Sequence, residues 1–535
     1  MKNIKYAILS LALLCAATSC DLDTLPSDKL GTEQMTGSID GCMSALNGVY
    51  RGFYTTQYSE GYATENFGPA SVNIAADVMG DDFIEREYGS KWFTYDHLYW
   101  VREEINNKND RPYTWWNMYY QFVNNANAVL AKIDDAEGTD EALRSSVKGQ
   151  ALALRAFAYF ELARWYQRTY IGHESDPGVP LYTQPTDIQT EGKGRGILSD
   201  VYKQINDDLD AALPLLKEGK AQTHKSHIDY YVDSGLKSRV ALVQENWQAA
   251  ADAARDALSK PGLSLMRASE LTSGFNSVGN NEWMWGSEIN DTQNTNWYSF
   301  FNHLDASAGG HARSCRKVVS IWLYNMIDKD DIRKQWFVAP TQYYAFKEGK
   351  ADIKAENDAQ TTGLLLPEEV SYNQLKFRVK AIGSWSADYI YMRGAEMVLN
   401  RAEALCNLGQ FSEARTLLSD LIGARYSDPA QYKAHLATVT DSKELTLKST
   451  ESTYIRTLKD EIILQRRIEL WGEGFRIQDI KRLKTGFNRV YENHNVTGVY
   501  ADISIEPDSW DPIMQIPISE FDGNPKMNIN TDQNP

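Results

Sequence analysis

LVQENWQAAADAARDALS, Leu242 to Ser259, and ALCNLGQFSEARTLLSDL, Ala404 to Leu421, carry the same local pattern twice. Each has an aromatic residue, then an alanine three positions on, then a stripe of small or apolar side chains: Trp247 with Ala250, and Phe411 with Ala414. Self-similarity of this kind marks a helical-hairpin repeat. A small residue at the repeated position lets a neighbouring helix approach closely.

Reading outward, Trp116, Tyr120, Val123, Asn127 and Leu130 recur at three- and four-residue spacing, so they share one helical face. From Asp140 to Tyr166, Leu143, Val147, Ala151, Leu154, Phe157, Phe160 and Leu162 keep much the same period and predict the partner helix. Four hairpins are expected, around 116–168, 198–259, 388–424 and 455–484. Trp247 with Ala250 and Phe411 with Ala414 match the aromatic and packing alanine of a tetratricopeptide-type repeat. The fold class is therefore mostly α: an irregular scaffold of tetratricopeptide-like hairpins. Two stretches, 54–112 and 262–387, show no sustained helical period and are rich in Gly, Asn, Asp and aromatics. Structureless loops longer than ~15 residues are uncommon in compact domains, so these insertions should hold short strands or small helices. Loops on a rigid scaffold are also where recognition is built.

At the N-terminus, Lys2 and Lys5 precede an apolar run from Tyr6 to Ala17, which has 12 residues where a membrane-spanning helix needs roughly 20. This is an export signal. It ends in Ala17-Thr18-Ser19-Cys20, which resembles a bacterial lipobox, although Ala17 stands where leucine is usual. The resemblance implies a signal peptide over 1–19, lipidation of Cys20, and a polar tether over 20–40 ahead of one domain over 41–535. Asp21, Leu22 and Asp23 look like an export tag for the outer face of an outer membrane. Loss of Lys2 and Lys5 takes the formal charge from −17 to −19, which repels phosphate backbones and argues against nucleic acid. Only Cys42, Cys315 and Cys406 remain beyond Cys20, so at most one disulfide is possible.

Several constellations have a chemical and a plainer reading. Arg466, Glu469, Glu473 and Arg476 could be an acid/base pair, but alternating charge on one helical face is better read as a salt-bridge network. Asp81 and Asp82 beside Gly80 could serve glycoside hydrolysis, yet adjacent loop residues seldom face one site, and a turn is expected. His224 and His227 lack a further ligand at metal-binding spacing. Asp328, Asp330 and Asp331 begin like a calcium loop without its glycine and glutamate, and read as a helix end. Gly192, Gly194 and Gly196 form a flexible loop with no phosphate-binding context. No catalytic residue, metal or cofactor is expected.

An aromatic and amide cluster is left. Trp92, Phe93, Tyr95, Tyr99 and Trp100 precede the first hairpin, and NEWMWGSEINDTQNTNWYSFFNH spans residues 281–303. Trp283 and Trp285 alternate as in a short strand and are assigned to the core. A sugar ring has an apolar C–H face and a hydroxyl rim, so its site needs a flat ring and side chains that both donate and accept hydrogen bonds. Trp92, Tyr95, Asn294, Asn296, Trp297 and Tyr298 are the candidate glycan-binding residues.

The chain resembles the SusD/RagB family over nearly its whole mature length. The resemblance lies in ALNGVYRGFY, the Trp116/Tyr120/Asn127 helix, GQALALRAFAYFELARWY, DYIYMRGAEMVLNRAEALCNLG, QRRIELWGEGFRIQDIKRL, IPISEFDGNP and the final QNP. Gln465 and Gln515 depart from the usual pattern. It implies a lipid-anchored protein of the outer membrane, facing the cell exterior, that binds oligosaccharide or polysaccharide without turnover and hands it to a SusC-like TonB-dependent transporter. Family relatives also serve peptide transporters, so a peptide-capturing lid is the alternative. Two further classes make distinct forecasts. A surface glycosidase would lose turnover on changing a carboxylate pair, and a helical-repeat adaptor would bind protein indifferently to Trp297 or Tyr298.

Overall fold

The two matching stretches fold alike. In the computed structural model, which describes residues 36–535 apart from 59–62, 87–91, 104–110, 291, 294–296, 309, 341–342, 348–349, 355–363, 366–370, 382–385, 448–454, 492 and 497–502, both are helical hairpins. The scaffold helices are α1 (Ile39–Arg51), α2 (Pro69–Val78), α3 (Arg111–Leu130), α4 (Glu141–Tyr166), α5 (Leu198–Glu218) and α6 (Tyr230–Val243). They continue as α7 (Trp247–Leu258), α8 (Gly394–Asn407), α9 (Phe411–Gly423), α10 (Pro429–Thr438), α11 (Leu458–Glu469) and α12 (Arg476–Leu483). The α6–α7 turn places Glu245 at φ 52°, and the α8–α9 turn places Gly409 at φ 78°. The next residue closes each turn with the same backbone bond, Asn246 N to Ala241 O and Gln410 N to Leu405 O, both 2.9 Å. Ala250 and Ala414 are fully buried, as a close helix crossing demands.

From α4 to α9 each helix packs on its predecessor, and α11 packs on α8. Local chemistry starts these helices where they start. Asp140 accepts from Leu143 N at 2.9 Å to open α4, and Asp229 accepts from Tyr231 N and Val232 N to open α6. The stretch 198–259, expected as one hairpin, carries three helices, because α5 pairs with α6 across the 219–229 connection before α6 turns into α7. Helix α2 is one of the small helices expected inside the first insertion, whereas α10 was not anticipated; both are short and begin with proline at the first helical position.

Four short strands fasten the insertions to this scaffold. β1 (Phe83–Glu85), β2 (Trp283–Ser287), β3 (Lys317–Val319) and β4 (Tyr389–Arg393) pair antiparallel, β1 with β3 and β2 with β4. Further strands at 343–347, 350–354 and 364–365 form a three-stranded sheet of their own. The β2–β4 pair closes the base of the second insertion, and β1–β3 joins it to the first. Trp283 and Trp285 are buried as expected. Phe53 of the α1 end stacks on Phe122 at 5.2 Å and on Phe157 at 5.5 Å, and meets Trp285 and Tyr391 at 5.3 and 5.4 Å. Each such ring contributes about 1.5–3 kcal/mol by leaving water.

Beneath the strands lies a buried network of charge. Arg393 of β4 donates to Glu282 at 2.7 Å, to Glu469 at 2.8 Å and to Glu473 at 2.8 Å. Arg425 and Arg333 reach Glu469 at 2.8 and 3.0 Å, and Lys376 reaches Glu473 at 2.6 Å. Burial pushes the Glu469 carboxyl up, but Arg425, Arg393 and Arg333 outweigh it and hold the group well below the usual range. Arg466 pairs with Asp479 at 2.7 Å. The salt-bridge reading of 466–476 holds and its reach extends beyond the last hairpin, but the four do not share one helical face: Arg466 and Glu469 lie on α11, Glu473 in the connection and Arg476 at the start of α12. Asp81 and Asp82 lie in the bend between α2 and β1, in keeping with the expected turn, but they face inward to shared partners. Both are buried, with Arg476 at 2.5 Å from Asp81 and Arg467 at 2.6 Å from Asp82, because a buried carboxylate must find a cation. Cys42, Cys315 and Cys406 are buried and are not joined to one another by a disulfide.

Candidate functional site

The site starts from a strained turn. Phe93 is a non-glycine residue at φ 62°, in the left-handed region that costs roughly 1–2 kcal/mol. Its ring is fully buried, edge-on to His303 at 5.0 Å and 5.2 Å from the Arg111 guanidinium, and its N–H donates to Glu65. These contacts hold the turn and set the direction of Trp92. Lys317 of β3, buried, donates through Nζ to Trp92 O at 3.1 Å and to Cys315 O at 3.0 Å.

From the second insertion, one buried amide fixes two partners. Asn302 Nδ2 donates to Trp297 O at 2.7 Å, and Asn302 Oδ1 accepts from His311 N at 3.1 Å. Ser299 caps the short helix Phe300–Leu304 that carries Asn302 and His303. His303 Nε2 lies 2.7 Å from Thr64 O; a carbonyl only accepts, so the proton sits on Nε2 and Nδ1 is a bare, buried acceptor.

The two insertions meet at His311. Trp92 lies 4.7 Å and Trp297 5.5 Å from the His311 ring, and His303 stacks behind it at 5.0 Å. Trp297 is 55% exposed and Tyr298 41%, whereas Trp92 is half-buried. Burial, with nearby Lys317, lowers the His311 pKa to about 4, and burial with His311 and Lys317 lowers that of His303 well below its usual value. Both rings are neutral near pH 7. The indole Nε1 of Trp92, Nδ1 of His303 and Nε2 of His311 are buried without a partner among the described residues. A rigid aromatic surface of this kind can stack on a ring that is apolar on its face and hydroxylated at its rim.

Of the candidates read from sequence, Trp92 and Trp297 come together, and Tyr298 adjoins Trp297. Tyr95 is 38% exposed and stacks on Trp100 at 6.0 Å; no described contact joins it to His311. Asn294 and Asn296 lie outside the described residues. Sequence reasoning missed Asn302, His303, His311 and Lys317. Asn302 and His303 fell within the stretch 281–303 that it singled out, and His311 and Lys317 did not. The other constellations lie elsewhere. His227 bonds Asn47 at 2.8 Å, Asp331 caps the 332–336 turn and pairs with Arg333, and Gly196 sits in a loop at φ 64°. Among the described residues no group of three or more His, Cys, Asp or Glu could hold a metal ion, and no helix is long and apolar enough to cross a membrane.

Two family models match in succession: one for SusD-like proteins, described as starch-binding associating with outer membrane, over residues 46–242, and one for the SusD family over residues 275–535. The chain belongs to the SusD/RagB family. A SusD-like protein of Formosa agariphila is 22% identical over 511 residues, covering 90% of this chain and 91% of its own. A crystal structure of a SusD-like carbohydrate binding protein from Bacteroides vulgatus is 28% identical and superposes with a TM-score of 0.71, covering 92% of this chain and 97% of that one. A surface glycan-binding protein A from Bacteroides uniformis, 17% identical, shares the SusD fold at a TM-score of 0.60, covering 92% and 99%. Family membership agrees with the helical scaffold and the strand-fastened insertions described above.

Proposed function

We propose that this SusD-family chain captures oligosaccharide or polysaccharide at the cell surface, without turning it over, and passes it to a SusC-like TonB-dependent transporter. The observation that carries the reading is the convergence of Trp92 and Trp297, from separate insertions, on the neutral His311 ring. Trp92, Trp297 and Tyr298 would form the stacking surface, and Tyr95, Asn294 and Asn296 are retained as further candidate ligand contacts. Two carboxylates that might have argued for hydrolysis, Asp81 and Asp82, are committed to buried arginines. Relatives named for carbohydrate and surface glycan binding support the ligand class. Lipidation at Cys20 would hold the protein to the outer membrane, since several acyl chains at about 0.8 kcal/mol per buried methylene anchor stably. Affinity gels and a glycan array on protein lacking residues 1–20 test this, with Trp297→Ala and Trp92→Ala alongside. Retardation by a polysaccharide, lost in both variants and without product release, is the expected result. Absence of binding to every glycan would sink the reading.

A further inference from the structure

A second hollow, away from the His311 cluster, combines sugar-binding chemistry with fixed walls. It encloses about 360 Å³ between one face of α3, the 182–192 loop and the C-terminal helix Ile518–Gly523. Tyr113, Trp116 and Tyr120 of α3 and Tyr182 of the loop supply rings. Tyr120 lies 4.8 Å from Trp116 and 6.2 Å from Tyr182.

The walls are pinned from the helix. Tyr120 OH donates to Pro180 O at 2.8 Å, Asn127 Nδ2 to Tyr182 O and Gln184 O at 2.9 and 3.0 Å, and Asn124 both donates to and accepts from the Thr186 backbone. Asn524 Nδ2 ties the C-terminal helix to Lys193 O at 2.8 Å. A cavity held this way loses little entropy when a ligand enters.

Other polar groups are left facing the hollow. Asn117 accepts from Gln121 at 2.9 Å through Oδ1 and keeps its amide N–H groups. Tyr182 OH accepts from Lys193 N at 3.0 Å and keeps its own proton to donate. Asp187 uses Oδ1 for Gln189 N and Thr190 Oγ1, leaving Oδ2 as an acceptor. Glu520 is occupied by Trp116 Nε1 at 3.1 Å and Asn524 at 2.7 Å. The lining includes two carboxylates and no lysine or arginine, which disfavours uronate, sulfate or phosphate.

We infer that this hollow is a second carbohydrate site, accepting one neutral pyranose unit, separate from the surface built on Trp297. Its volume sits at the small end of ligand pockets, which run from about 300 Å³, so a terminal or branch sugar fits and a long chain does not. The test is saturation-transfer NMR on the purified protein with the methyl glycosides of glucose, galactose, mannose and xylose, and with glucuronic acid and methylammonium as charged controls. Three variants accompany it: Asn117→Ala, Ser519→Trp, which blocks the mouth from an exposed position, and Trp297→Ala. Expected is a signal from at least one neutral glycoside that falls about fivefold or more in Asn117→Ala and Ser519→Trp and survives in Trp297→Ala. Loss in Trp297→Ala alone would overturn the second site while leaving the Trp297 surface standing. Absence of any neutral signal, persistence in both cavity variants, or preference for either charged control would also overturn it.

Discussion

Asp233 gives the sharpest quantitative test of the scaffold. It lies in the first turn of α6, fully buried, and neither carboxyl oxygen has a hydrogen-bond partner among the described residues. Burial, reinforced by Asp210, Asp229 and Asp208 and opposed by Lys237, raises its pKa well above the usual range. Lys237 is itself engaged by Asp210. In the unfolded chain the group ionises near pH 4, whereas in the fold it stays protonated to a higher pH, so the folded state binds the extra proton. Stability must then fall as pH rises between those two values, by about 1.4 kcal/mol per unit for a single site. Asp233→Asn removes this titration and keeps the shape. The advantage of the variant over the parent should therefore grow as pH rises above 5, by up to about 1.4 kcal/mol per unit for as long as Asp233 stays protonated in the fold. With ~2.1 cal/mol/K of unfolding entropy per residue over roughly 500 residues, that is a widening of up to about 1.3 °C in Tm per pH unit. Differential scanning calorimetry of both proteins at pH 5, 6 and 7 reads it directly. A gap that stays flat across the series would refute the reasoning, since it would mean that Asp233 is ionised in the fold.

Other expectations follow from the same contacts. Trp297→Ala should weaken glycan binding about tenfold, the loss of roughly 1.4 kcal/mol from half an indole's burial, read by affinity electrophoresis. With His311 at a pKa of about 4, its depressed value leaves the ring neutral from pH 8 to pH 5, so the binding constant should hold over that range and drop only near pH 4. Glu469→Gln strips the shared counter-charge from Arg333, Arg393 and Arg425 and should destabilise by about 3–5 kcal/mol in thermal denaturation. Gly409→Ala should cost about 1 kcal/mol at φ 78°, while Glu245→Gly in the equivalent turn should be neutral or stabilising.

The helical scaffold was readable because its information is local. Trp247 with Ala250 and Phe411 with Ala414 lie within single turns of helix, and burial of the two alanines follows from that spacing. The three-helix content of 198–259 was harder, because one continuous periodic stretch does not show where the chain reverses. Asp82 and Arg467 meet across 385 residues, so no local pattern could show that the turn at Asp81 and Asp82 faces inward to an ion pair. The site was half legible for a similar reason. Trp92 and Trp297 stand out by composition, being large rings in polar loops. Asn302 does not: a buried amide that fixes two neighbours looks in sequence like any other asparagine, and His311 gains its meaning only from the rings folded against it.

The Arg393 network also bears on how such a chain can diversify. Glu282 and Arg393 stand at the feet of the second insertion, and Glu469 and Glu473 belong to the helical frame below. Whatever the intervening loops become, their two ends are locked to the same anchor. Substitutions near Trp297 and Tyr298 can then reshape the tip without loosening the handle. Loop-tip chemistry and foldability can then change separately: the first is set by the exposed rings, the second by a few buried charges at the feet of the insertion.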